Sequence, residues 1–165
     1  MQDEPSEQFL LKERAQLGLV AGLLSSIVMA LVIIAMQATG IMEVPWFLTL
    51  GTLAGGMGIS SEVGAYGLVW HLGLGVVAGF LFTSVFRNYS VTRGLALGGL
   101  LLLLTGVAFT LVSSPQLGGT ILTISLSNSV TLLVQSAIAF AAYGVTIGYI
   151  TKKYEIIHRT ENAGD

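Results

Sequence analysis

"AQLGLVAGLLSSIVMALVIIAMQA", residues 15–38, decides what kind of fold the chain can adopt. It contains no charged residue, and a helix crossing the hydrocarbon of a bilayer needs about 20 mostly apolar residues. Lipid offers the backbone no hydrogen-bond partners, so a run of this kind must be helical to satisfy its own N–H and C=O groups. Residues 66–86 ("YGLVWHLGLGVVAGFLFTSVF"), 94–114 ("GLALGGLLLLLTGVAFTLVSS") and about 130–150 ("VTLLVQSAIAFAAYGVTIGYI") read the same way. Composition agrees: 53% of the chain is hydrophobic and only 10% charged, where a soluble domain carries about 25% charged residues. The reading is an all-α, polytopic membrane protein: a four-transmembrane-helix bundle over residues 15–151, with a polar tail at 1–14 and another at 152–165. Residues 44–59 are apolar but too short to span. With Gly51, Gly55, Gly56 and Gly58 against a full helix, they read as an interfacial or re-entrant segment.

The charges orient these spans. All seven Lys and Arg residues fall at one set of ends. Lys12 and Arg14 precede the first span, Arg87 and Arg93 separate the second from the third, and Lys152, Lys153 and Arg159 follow the fourth. The stretches 39–65 and 115–129 contain none. By the positive-inside rule both termini face the cytoplasm, and the expected location is the cell (inner, cytoplasmic) membrane. The acidic lead "MQDEPSEQ" and the long apolar run after it read as a first span rather than a secretory signal peptide. A net charge of −2 gives no basic field for nucleic acid. The absence of cysteine excludes disulfides and thiolate chemistry.

Glycine spacing suggests how the spans meet. The second span reads His71-x-x-x-Gly75-x-x-x-Gly79 and the fourth Phe140-x-x-x-Gly144-x-x-x-Gly148, at a constant offset. The first and third share a looser pattern, "GLVAGLL" against "GLALGGLL". Two tandem hairpins in the same orientation, spans one–two and three–four, are the arrangement this predicts. Residues four apart share a helix face, so Gly18–Gly22–Ser26, Gly75–Gly79, Gly94–Gly98 and Gly144–Gly148 each form a small-residue face on which backbones can approach closely.

Chemistry has few candidates. No Asp, Glu, Lys or Arg lies within any of the four spans, which weakens a proton-coupled antiporter and any hydrolase needing paired carboxylates. No nucleophile elbow, zinc-protease motif or phosphate loop is present. His71 is the exception, the one histidine inside a span. Counting from Arg87, it sits about one turn below the outer interface, roughly 6 Å deep, beside Trp70 of an interfacial aromatic belt. An imidazole bonded to a neighbouring hydroxyl or carbonyl, a haem or metal ligand, and a contact with a partner subunit or quinone-like molecule all fit this placement. Bis-histidine haem needs a second histidine at similar depth. His158 is at the wrong end, leaving Met36 or Met42 or a ligand from another chain. Ser25, Ser26, Gln37, Thr105, Gln135 and Ser136 are the remaining polar candidates. Gln135 is the most demanding, because its amide must be satisfied inside the bundle. Glu43 and Glu62 flank the segment between the first two spans and read as solvated.

The stretches "GLVAGLLSSIVMA" (18–30), "HLGLGVVAGFLF" (71–82) and "AYGVTIGYI" (142–150) resemble a loose group of small four-helix membrane proteins of unknown function in bacteria and archaea. The resemblance covers about residues 15–150. Members of that group often carry a second histidine in the fourth helix, where this chain has Phe140 or its neighbours. The resemblance implies a fold and brings no established activity.

These features predict a non-enzymatic, accessory or structural subunit that packs against a larger membrane complex of the respiratory or other electron-transfer type. A small-solute transporter or channel is the alternative, and a haem- or quinone-contacting protein using His71 the second. No cofactor is expected, haem at His71 being the one exception considered. The expected partners are the lipid bilayer and other membrane subunits or a second copy, with no nucleic acid.

Overall fold

The computed structural model describes residues 7–42, 46–55, 61–86, 88–116 and 126–161, and all of its regular structure is helical. Five helices follow in order: α1 Glu7–Ala38, α2 Trp46–Gly55, α3 Ser61–Val85, α4 Val91–Gln116 and α5 Leu126–Glu161. Three contain stretches long and apolar enough to cross a membrane: Lys12–Ala38, Glu62–Val85 and Thr131–Ile157. In α4 the apolar stretch among the described residues is Val91–Val107, shorter than a full span.

The helices outrun the apolar windows that announced them. Residues 7–14, expected as a polar tail, form the first turns of α1, and α5 continues past the apolar stretch to Glu161. "EQFLLKERAQ" consists largely of strong helix formers and contains no Gly or Pro, so nothing breaks the helix where hydropathy falls. The segment around 44–59 also differs from the glycine-based expectation, because Trp46–Gly55 is a helix. Gly51 is there for proximity. A Cβ on it would run into the Val63 carbonyl of α3, and a Cβ on Gly67 would come within 2.7 Å of the Gly51 amide nitrogen. The propensity cost of glycine, about 1 kcal/mol, is offset by packing open to no larger residue.

α1 and α3 form one antiparallel pair and α4 and α5 another, joined chiefly through α1 against α5, while α2 lies on α3. In the first pair a Cβ on Gly22 would sit 2.5 Å from the Gly75 carbonyl, and one on Gly79 would sit 2.5 Å from the Gly22 Cα. In the second, a Cβ on Gly144 would sit 2.5 Å from the Gly94 carbonyl, and one on Gly148 would sit 2.6 Å from the Ser90 carbonyl. These are backbone atoms, which cannot swing aside. The glycine faces read from sequence are therefore contact faces, and they bring Gly18, Gly22, Gly75 and Gly79 together, and Gly94, Gly98, Gly144 and Gly148 together.

Between the pairs lies a core that includes Ala21, Met29, Ile33, Met36, Phe82, Ala139, Phe140, Tyr143 and Ile147. The outward side is apolar as well: Val20, Leu31, Val69, Val77, Val85, Leu103 and Leu133 are each more than half exposed. In water a surface of this kind would drive aggregation, whereas hydrocarbon is its natural solvent.

Candidate functional site

Polar groups inside the bundle are spent mostly on backbone carbonyls. The hydroxyls of Ser25, Ser26, Thr83 and Thr151 bond back to their own helices, Ser25 to Ala21 at 2.7 Å and Thr151 to Ile147 at 2.7 Å. Three longer side chains reach between elements. His71 Nε2 lies 3.2 Å from the Ser26 carbonyl of α1. Tyr143 Oη donates to the Gly75 carbonyl of α3 at 2.8 Å. The Gln135 amide donates to the Ile41 carbonyl just beyond α1. Each ties a neighbouring helix end or crossing to α3 or α5.

The Ser26 contact fixes the chemistry of His71. A carbonyl can only accept, so Nε2 carries the proton and the ring of a neutral imidazole keeps its lone pair on Nδ1. Of the three roles open to His71 in the sequence, the structure displays the carbonyl-bonded one. The side chain is 6% exposed, and its ring meets Phe47 edge-on at a centroid distance of 5.5 Å. Haem ligation through Nε2 would have to break the tie to Ser26. Among the described residues no group of three His, Cys, Asp or Glu side chains is placed to hold a metal ion. Met36 and Met42 are core residues, joined by the Met42 amide donating to the Met36 carbonyl at 2.9 Å.

α2 connects the two helix pairs at this level. The chain leaves α1 through Gly40, whose φ of +70° suits glycine best. α2 runs antiparallel to α3, with Phe47 beside His71 and Gly51 beside Val63. The preceding residue, Trp46, meets Phe140 of α5 edge-on at 6.2 Å. Two consecutive residues of α2 thus touch His71 and Phe140, the two residues aligned by the glycine spacing. The indole Nε1 of Trp46 is buried with no hydrogen-bond partner.

A second polar cluster sits where the basic residues gather. Ser90 caps α4, its Oγ accepting from the Arg93 amide at 3.2 Å. The rings of Phe86 and Tyr89 lie 5.0 and 6.0 Å from that of Phe82, and the Arg93 guanidinium stands 5.8 Å above the Phe86 ring. The Tyr89 amide donates to Glu155 of α5 at 3.3 Å. Burial raises the Tyr89 phenol above its ordinary value, with Arg14 lowering it and Glu155 raising it by lesser amounts.

Of the residues singled out in the sequence, His71, Gln135 and the glycines stand at helix contacts. Glu62 is exposed, and Glu43 lies outside the described residues, as do the side chain of His158 and the middle of the 115–129 stretch. Sequence reasoning missed Tyr143, Trp46 and Phe47. A signal existed for Tyr143, a hydroxyl-bearing residue directly before the first glycine of the Gly144–Gly148 face.

Fold and site together define an all-helical protein with helices of membrane-spanning length, held by glycine crossings and side-chain ties to backbone carbonyls. Within that class, the chain belongs to a family of unknown function (DUF6789), which matches residues 12–162. No curated protein matches it, and no solved structure does.

Proposed function

We propose that the chain is a non-catalytic, four-span integral membrane protein of the cell membrane, both termini cytoplasmic, that serves as an accessory subunit of a larger membrane complex. α4 supplies the fourth span. The observation that carries this reading is the use made of the intramembrane polar groups. His71, Tyr143 and Gln135 each hold one element to the backbone of another, a bracing role rather than a chemical one. α4 adds support. It packs chiefly on α5, while Gly99 and Gly106 have no atom near the position of a Cβ and Leu100, Leu103, Leu104 and Val107 are exposed. A helix held on one side is suited to receive a helix from a partner. Electron-transfer assemblies are the class of partner to test first.

The same reading includes two tandem hairpins related by a pseudo-two-fold axis along the membrane normal. Corresponding contacts support it. Gly79 approaches the Gly18 carbonyl as Gly148 approaches the Ser90 carbonyl, and Gly22 approaches the Gly75 carbonyl as Gly94 approaches the Gly144 carbonyl. A small-solute path is the second reading. It draws on α2, whose first turn reaches back between the two pairs, an arrangement many transporters use to line a site.

Mild-detergent extraction of the tagged protein from its native membrane tests the proposal, with co-purifying polypeptides and the visible spectrum recorded together. The expected result is a partner set in fixed proportion and no pigment on this chain. A stable monomer with no co-purifying chain would contradict it. A Soret band lost on His71→Ala would replace it with the haem reading.

A further inference from the structure

α2 is held in two unlike ways. Its middle is seated on α3 by backbone: a Cβ on Gly51 would run into the Val63 carbonyl, and one on Gly67 into the Phe47 carbonyl. Its first residue, Trp46, meets the second helix pair by ring edge, 6.2 Å from Phe140 of α5. That seat leaves a polar group unanswered. The indole Nε1 can only donate, and it is buried with no hydrogen-bond partner. His71, Tyr143 and Gln135 each find a backbone carbonyl; Trp46 does not. A ring face answers an N–H only weakly, and the nitrogen is enclosed too closely for a water to stand beside it. An unanswered buried donor weighs against the arrangement that holds it by roughly 5- to 150-fold.

We propose that Trp46 is a latch between the two helix pairs, closed on Phe140 as the structure shows and open when the indole turns outward to the membrane interface. Opening answers the N–H, because the interfacial zone offers water and lipid carbonyls to a tryptophan whose rings stay in apolar surroundings. In the proposed topology that zone is near. Phe47, the next residue, lies against His71, which sits about one turn below the outer interface. Opening is also local. As the first residue of α2, Trp46 has no turn of its own helix before it, so its ring swings without moving the backbone that Gly51 and Gly67 fix. The swing uncovers Phe140, and with it the α5 face that carries Ser136 one turn nearer the outer end. Both residues are 7% exposed in the closed arrangement. The latch thus controls access from the outer leaflet to the seam between the pairs. The inference rests on the spanning part of the proposed function and holds for a subunit and for a solute path alike.

Hydrogen exchange of the indole N–H reads the opening directly. The full chain, with nitrogen-15 in its tryptophans, is transferred to heavy water in detergent micelles, and Trp70→Phe assigns the indole signals. Trp70, 42% exposed, is the open reference, and the Gly22 amide, inside the α1–α3 crossing, reports wider opening of the bundle. Trp46 is expected to exchange at least about tenfold slower than Trp70 and at least about tenfold faster than Gly22. Phe140→Leu removes the ring that seats the latch and should speed exchange at Trp46 at least about fivefold, with the Gly22 amide unchanged. Helical circular dichroism and gel filtration confirm that this variant is folded, and Phe140→Met replaces it if it is not. Exchange at Trp46 as fast as at Trp70 would show that the ring has no closed position. Exchange as slow as at Gly22 would show that it leaves only when the bundle opens, and an unaltered rate in the Phe140 variant that α5 does not seat it. Each of these would overturn the latch. Rapid exchange at Gly22 itself would overturn the spanning bundle on which the latch rests, and the latch with it.

Discussion

The α1–α3 and α4–α5 pairs use one device and differ at one level. In both, glycines on facing helices let the backbones meet, with carbonyls where side chains would otherwise stand. The contrast lies one turn beyond the glycines. In the first pair Ser26 and His71 face each other, and the imidazole is tied to the Ser26 carbonyl. In the second, Gly98 faces Phe140, and the ring is free to receive Trp46. One level is thus a polar lock and the other an aromatic socket, and α2 touches both through Phe47 and Trp46. The difference teaches that close approach is set by glycine spacing, while the residue beyond the glycines decides what the crossing can hold.

The largest effect should come from breaking the shared device. Gly79→Val and Gly148→Val each drive a side chain into backbone, and each should cost about 3 kcal/mol or more, measured as loss of folded protein on titration with denaturing detergent. Gly73→Ala and Gly99→Ala meet no atom within 4 Å and should stabilise slightly, by less than about 1 kcal/mol. If Gly148→Val were tolerated and Gly79→Val were not, the two pairs would not be equivalent.

Smaller effects sharpen the contrast at the next level. Tyr143→Phe removes the bond to Gly75 and His71→Phe the bond to Ser26; each should cost about 1 kcal/mol in the same titration. A loss well beyond that at His71, with Tyr143→Phe mild, would point to a role for the imidazole other than bracing.

The smallest effect concerns the basic end. The folded protein holds the Tyr89 phenol above its ordinary value of 10.0, chiefly through burial. Its contribution to stability is therefore complete below about pH 10 and lost as pH rises through the folded value. Tyrosinate absorbance should lose one late-ionising component in Tyr89→Phe, and the variant's stability should fall less steeply in alkali.

Much of this architecture was legible because lipid imposes a simple rule. A long uncharged run such as 15–38 must be helical, and the glycine spacings of 18–22, 75–79 and 144–148 could be read as faces before any partner was known. α2 was not legible as a helix, because Gly51 lowers propensity locally while its benefit, contact with Val63, depends on a helix elsewhere in the chain. The same limit hid the ties. Nothing in the sequence around His71 names Ser26, and nothing around Gln135 names Ile41, since both pairings follow from helix crossings. The helices run on to Glu7 and Glu161, beyond the 15–38 and 130–150 spans, because hydropathy marks where lipid ends, whereas helix formation continues until a breaker.

The central claim is that α4 crosses the membrane, so that the chain crosses four times and its basic ends share one side. The chain has no cysteine, so single substitutions give a clean readout. Lys12→Cys, Lys153→Cys and Glu62→Cys would be exposed in intact cells to a membrane-impermeant maleimide, with permeabilised cells as reference. Four crossings predict labelling of Glu62→Cys in intact cells and of the other two only after permeabilisation. Labelling of Lys153→Cys in intact cells, with Lys12→Cys protected, would mean an odd number of crossings and would contradict the claim.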